Sequence, residues 1–362
     1  MLNKELSVKI SPNTQYPIFI NFDDIESIKE KIFNYTNANK ILIIISKKVN
    51  RLYGRKLNFK NSIKFVLKDG EKEKNFKNYK KILDFALKNK LERKDAIVAV
   101  GGGVVGDIAG FIAATYLRGI DFIQVPTTLL ACVDSSIGGK VAINTKYGKN
   151  LVGAFYQPRA VFCNLNFLKT LDERQFKTGL SEIIKYAFIE KSCRFNENYD
   201  FFKFLEENYI KILNKDDEIL IKIIEIALNL KASVVEQDEK EQGLRKILNF
   251  GHTYAHAIEK ITNYKKYTHG EAVAIGMVFA LNLAFNKDLI SEDLKKEGIS
   301  LINKYNLVKK LPKFKSKKML EIMKSDKKVE DGNINFILPS SKAQVELFRV
   351  KPEEIISCHY HY

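Results

Sequence analysis

Between Ala96 and Gly106 the sequence places its tightest constraint on the fold. The apolar run Ala96–Val100 passes straight into Gly101-Gly102-Gly103, and Val104–Tyr116 continues at helical spacing. A buried strand, a tight turn and a helix in that order open a strand–helix–strand unit. Such units demand a parallel sheet covered by helices. The neighbouring segments agree. Ile41–Ile45 and Ile63–Leu67 read as strands and Asn75–Leu87 as a helix, and Phe122–Val125 reads as a strand running into Pro126-Thr127-Thr128.

Near Leu171 the pattern changes to helical spacing. Ile219–Val235 carries a stripe at Leu220, Ile223, Ile224, Ala227, Leu230 and Val234. Glu271–Phe285 is apolar on all sides except for Glu271 and Asn282, which fits the middle of a bundle. The expectation is an α/β domain with a parallel sheet over residues 1–172, followed by a mostly helical domain over 173–362. At roughly 150 residues per domain, two domains suit the 362 residues.

Composition excludes several classes. Basic residues outnumber acidic ones 60 to 43, giving +17. Only nine of the 60 are arginine, the residue suited to base edges and bidentate phosphate contacts. The lysines are dispersed, so no nucleic-acid partner is expected. The surplus can still attract small anions. No apolar stretch is long enough for a membrane span, and Met1-Leu2-Asn3-Lys4-Glu5 has no signal core. The four cysteines lie far apart, which fits a reducing cytoplasm.

Four features could carry chemistry. Gly101-x-Gly103-x-x-Gly106 at a strand-to-helix turn can admit a pyrophosphate to the helix N-terminus, or it is only a tight turn. Val133–Lys140, followed by Lys149-Asn150, is a polar, glycine-rich segment that reads as a phosphate loop or as a surface loop. Three of the five histidines, His252, His256 and His269, crowd into eighteen positions. His252 and His256 are four apart on one helical face, which suits a metal completed by a carboxylate. His359 and His361 read as a disordered tail. Glu182 and Lys185 share a helical face as site residues or as a surface ion pair. Lys231 continues an apolar stripe, either snorkelling outwards or held inside for an anion.

In order and spacing these segments resemble the dehydroquinate synthase family of sugar-phosphate cyclases. The resemblance runs through Asp69-Gly70-Glu71-x-x-Lys74, Gly101–Asp107, Arg118-Gly119, Pro126–Leu130, Val133–Lys140, Lys149-Asn150, Leu168–Leu171, Gly179–Lys185, Gly243–Arg245, Leu248–Thr253, His269–Val273 and Asp326–Lys328. It implies a shikimate-pathway lyase that converts 3-deoxy-D-arabino-heptulosonate 7-phosphate to 3-dehydroquinate. The reaction proceeds by transient oxidation, phosphate elimination, re-reduction and aldol closure, using NAD and one divalent metal (zinc, with cobalt the alternative). The implied ligands are Glu182, His252 and His269, which moves His256 from the metal to the phosphate.

The implied NAD site comprises Asp69, Gly70, Glu71, Lys72, Glu73, Lys74, Gly103, Val104, Val105, Gly106, Asp107, Thr127, Thr128, Lys140, Lys149, Phe167, Leu168, Lys169 and Thr170. Lys231 and Arg245 would hold the substrate carboxylate. Lys140, Asn150, Asn249, His256 and one of Lys327 or Lys328 would hold its phosphate, with Arg118 from the other subunit of a homodimer. Asp134, Lys185 and Glu241 would orient the hydroxyls. Where the family ends its first strand with Thr and then Asp or Asn, this chain has Ser46-Lys47, so no ribose contact is expected there. A second cyclase of the superfamily, or a metal-dependent polyol dehydrogenase, is the alternative reading.

Overall fold

The computed structural model describes residues 3–11, 14–308, 314–325, 329–330 and 332–360. The chain divides into two compact units, Met1–Asp172 and Glu173–Tyr362.

The first unit contains strands β1 (Lys4–Ser11), β2 (Thr14–Asn21), β3 (Ile41–Ser46), β4 (Ser62–Leu67), β5 (Ala96–Gly101), β6 (Asp121–Pro126), β7 (Lys140–Thr145), β8 (Gly148–Phe155) and β9 (Ala160–Asn164). Its helices are α1 (Ile28–Ile32), α2 (Lys47–Tyr53), α3 (Phe76–Lys88) and α4 (Gly103–Thr115). Seven strands form one sheet in the order β1-β2-β9-β6-β5-β3-β4. All neighbours are parallel except β1 and β2.

The central strands β3 and β5 are apolar on both faces because both faces are covered. Leu42, Ile44, Ile97 and Ala99 pack against Ile82 of α3 and Ile108 and Ile112 of α4. The alternate residues Ile41, Ile43, Ile45, Val98 and Val100 pack against Ile28 and Ile32 of α1. This is the period-two alternation of a doubly covered sheet. From β3 the chain goes outward to β4 and then crosses back to β5 on the other side of β3. The strand order therefore reverses between β3 and β5. Ligands of open α/β sheets bind beyond the carboxyl ends of strands at such a reversal.

The second unit holds α5 (Glu173–Ile189), α6 (Phe201–Leu213), α7 (Asp217–Gln237), α8 (His252–Ile261), α9 (His269–Asn286), α10 (Glu292–Lys304), α11 (Ser316–Ser325), the antiparallel strands β10 (Val329–Glu330), β11 (Asn333–Ser341) and β12 (Gln344–Val350), and α12 (Pro352–Tyr360). Helix α9 is the expected bundle centre, buried along nearly its whole length and packed against α5, α8, α10 and β11. A capping box between Thr268 and Glu271 fixes its start. The three-stranded sheet is an addition to the expected helices. His359 lies in α12 and so is not part of a disordered tail, whereas His361 lies outside the described residues. Among the described residues no helix is long and apolar enough to cross a membrane.

Candidate functional site

Most of the residues expected to meet a dinucleotide follow the carboxyl ends of β4, β5, β6 and β9 in the first unit. Helix α4 begins at a glycine cap, Gly102, which supplies no side-chain acceptor. The first N–H groups of the helix, from Gly103 and Val104, are thus left to a ligand. Thr127 N–H donates to Gly101 O at 2.9 Å, binding the ends of β5 and β6 together. Ser46 caps α2 by accepting from Val49 N–H at 3.3 Å. Asp69 accepts from Lys48 N–H at 3.2 Å. Phe167 and Leu168 are buried, while Lys169 and Thr170 are exposed.

The segment Glu71–Lys74 is tied to the β7–β8 hairpin. Lys74 is 4% exposed. Its ammonium donates to Asp107 Oδ2 and to Asn150 Oδ1, both at 2.6 Å. Burial works against its charge, but Asp107 and Glu71 hold the ammonium above the usual lysine value. Asn144 donates to Glu71 Oε1 at 2.7 Å and accepts from Asn150 N–H at 3.0 Å. Because Lys74 occupies the amide oxygen of Asn150, the NH₂ group of Asn150 is the side left to an anion.

Val133–Lys140 is not a surface loop. Ala131–Ser135 forms a π-helical turn carrying Asp134, and Ser136 and Ile137 are buried. Gly138 and Gly139 then turn the chain into β7, where Lys140 is exposed.

The second unit brings together Glu182 of α5, His252 of α8 and His269 of α9, with ligand atoms all within 4.8 Å of one another. Close backbone approach makes this possible. A Cβ on Gly270 would lie 2.4 Å from Thr178 O, so the start of α9 meets α5 without a side chain intervening. Gly251 turns into α8 at φ +77°, and a Cβ there would lie 2.8 Å from Met277 Cγ. His252 Nε2 and His269 Nε2 lie 3.5 and 3.6 Å from Glu182 Oε1. His252 Nδ1 is 3.0 Å from Phe250 O. That contact fixes the tautomer with Nδ1 as the donor and leaves Nε2 as a lone pair.

Glu182 is fully buried, and among the described residues neither of its oxygens accepts a hydrogen bond. Lys185, 1% exposed, contacts Oε2 as an ion pair. Burying a carboxylate costs several kcal/mol unless charge and hydrogen bonds offset it. This pair is therefore not the surface contact that the spacing allowed. A divalent cation fits the donor set, since two imidazoles and one carboxylate form a catalytic zinc type with an open position.

Burial raises the Glu182 carboxyl, but Lys185, His252 and His269 hold it well below the usual carboxylate range. Burial, aided by the charges of Lys185, His269 and His256, lowers His252. Burial would lower His269 too, but Glu182 and Glu259 bring it up to about 10. Metal-free His269 is therefore protonated at neutral pH, and a metal must displace that proton. The apparent affinity for Zn²⁺ should rise roughly tenfold per pH unit from 7 to 9. Calorimetry in buffers of different ionisation enthalpy should report about one proton released per metal. A flat affinity over that range would contradict the assignment of the proton to His269.

His256 stands one turn along α8, its ring edge-on to His252 at 5.7 Å between centroids, and outside the ligand group. Lys231, 4% exposed, is held inside and does not snorkel; Arg245 is 2% exposed. Asp238, at the end of α7, accepts from the N–H groups of Gln242, Gly243 and Arg245 at 2.9, 2.8 and 2.9 Å. It thereby shapes the loop that carries Glu241 and Arg245. Asn249 donates to Glu241 Oε1 at 2.8 Å.

Arg118, Asn150 and Glu241 adopt left-handed backbone at φ +68°, +56° and +59°, a conformation costing of order 1–3 kcal/mol for a residue such as Arg or Glu. Lys327 and Lys328 lie outside the described residues. Asp238 and Glu259 are the residues the sequence reading missed. Glu259 follows His252 by seven positions and shares its helical face, a signal that could have found it.

Residues 64–178 match the family described as 3-dehydroquinate synthase N-terminal, and residues 179–329 match 3-dehydroquinate synthase C-terminal. A 3-dehydroquinate synthase of Prochlorococcus marinus (strain MIT 9515) is 44% identical over 359 residues, covering 96% of both chains. That of Caldanaerobacter subterraneus subsp. tengcongensis is 43% identical over 347 residues, 94% of this chain and 96% of its own. A solved 2-deoxy-scyllo-inosose synthase, complexed with carbaglucose-6-phosphate, NAD⁺ and Co²⁺, superposes with a TM-score of 0.87 at 26% identity, covering 99% of this chain and 100% of its own. With both family matches in sequence along the chain and relatives this similar over nearly its full length, the chain belongs to the 3-dehydroquinate synthase family.

Proposed function

We propose that the chain converts 3-deoxy-D-arabino-heptulosonate 7-phosphate to 3-dehydroquinate and inorganic phosphate, as a phosphate-eliminating lyase. The observation that carries this reading is the Glu182, His252 and His269 group, its carboxylate fully buried, in a chain 44% identical to a 3-dehydroquinate synthase. When bound, NAD supplies a reversible hydride acceptor and a divalent metal supplies Lewis acidity. The NAD⁺ and Co²⁺ of the inosose synthase support both groups, and the two-imidazole, one-carboxylate set favours zinc. The four cysteines are free and buried, which supports placing the reaction in a reducing cytoplasm.

The chain's own residues bind and orient. Glu182, His252 and His269 would hold the metal, and the open start of α4 would hold the dinucleotide pyrophosphate. Lys231 and Arg245, both buried, pair with the substrate carboxylate. Lys140, Asn150, Asn249 and His256 hold the phosphate. Asp134, Lys185 and Glu241 orient the hydroxyls. The departing phosphate takes the proton lost in the elimination, so no separate protein base is assigned. Arg118 serves the neighbouring copy of a homodimer. Its exposure on a left-handed turn supports that role, and light scattering checks the dimer mass. Holding one substrate through several steps supplies much of the rate.

A cyclase returns its hydride and a polyol dehydrogenase does not. A small amount of NAD should therefore support many turnovers, with phosphate released and no steady rise in NADH absorbance. A coupled phosphate assay read beside the absorbance at the NADH band checks this. NADH rising one-for-one with substrate, without phosphate, would establish the dehydrogenase instead.

A further inference from the structure

We propose that Glu259 is a positioning residue of the metal site: its carboxylate accepts the Nδ1 proton of His269, aims Nε2 towards Glu182, and supplies a second negative charge to the buried centre. The inference rests on the metal reading above. Glu259 is 5% exposed. Its Oε1 lies 3.6 Å from His269 Nδ1, while His269 Nε2 lies 3.6 Å from Glu182 Oε1. The imidazole thus spans two carboxylates through its two nitrogens. Imidazole ligands commonly donate their second N–H to a carboxylate or carbonyl, which fixes the ring and makes the ligating nitrogen more basic.

The two histidines of this site divide those partners. His252 leans on a neutral carbonyl, Phe250 O, at 3.0 Å, and His269 on an anion. Charge balance gives the anion a reason. A divalent cation beside Glu182 and Lys185 would leave the buried centre two charges positive, and Glu259 removes one of them. A buried carboxylate is expensive without such a partner.

The test uses the full-length protein, stripped of metal and reloaded with Co²⁺. Wild type, Glu259→Gln, Glu259→Ala and His269→Ala are compared by visible absorption and by competition against a chromophoric chelator. Glu259→Ala should bind Co²⁺ about 10- to 100-fold more weakly. Glu259→Gln, which keeps an acceptor oxygen but loses the charge, should lose less. Both should show shifted visible bands, and metal-free Glu259→Gln should keep the wild-type circular dichroism. If Glu259→Ala does not fold, the Gln variant decides. Gln binding with wild-type affinity and an unshifted spectrum, while His269→Ala loses the metal, would overturn the proposal alone. Wild type binding no better than His269→Ala would overturn the ligand assignment beneath it.

Discussion

His269→Ala will purify without stoichiometric metal and will release phosphate from the heptulosonate more than about 100-fold more slowly than wild type. The bound is set by supporting residues, whose loss alone costs about 10- to 100-fold; removing a ligand must cost more. The substitution leaves Glu182 and Lys185 paired and buried but takes the imidazole from the buried Glu259, so folding is measured beside activity. The His269 side chain is itself 30% exposed, so its truncation leaves little enclosed cavity. Metal analysis after dialysis, with circular dichroism as the folding control, checks both parts. Equal metal content in the two proteins would remove His269 from the ligand set.

Lys231→Met should lose kcat/KM on the same substrate by roughly 30- to 4,000-fold, the equivalent of the roughly 2–5 kcal/mol that truncating one member of a desolvated charge pair costs. Lys231 lies on the apolar face of α7 beside Leu228 and Leu230, and all three are buried. Removing one member of a buried charged contact can itself destabilise a fold, so the thermal midpoint is read beside the activity. A thermal midpoint at or above wild type, together with the loss of activity, would mark the lysine as serving the ligand. Wild-type activity, or inactivity explained by unfolding, would end the carboxylate reading.

Much of this was legible in the sequence, for identifiable reasons. The β3, β5 and β6 strands are apolar on both faces because helices cover both, so they stand out as continuous runs. The sequence reading missed β1, β2 and all of β7 to β12. Most of these lie in antiparallel pairs with mixed burial, where alternation is diluted by polar residues, while β9 is buried and parallel but only five residues long. Histidine scarcity exposed the metal group, but helical spacing by itself joined His252 to His256. Spacing reports which residues share a helix face and is blind to which helix crosses opposite. Glu182 enters from α5 only because Gly270 lets α9 approach it. Left-handed backbone at Arg118 and Glu241 left no trace in the residue types.

The ligands also set an order of events during synthesis. Glu182 emerges from the ribosome on α5 long before α8 and α9, and the glycine contacts that seat His252 and His269 cannot form until α9 is complete. A nascent chain therefore offers no finished chelate, unlike proteins whose ligands are neighbours in sequence. The proposed three-ligand site would be complete only once α9 has packed against α5 and α8. Truncated chains ending before α9 would lack His269 and so one of the three proposed ligands.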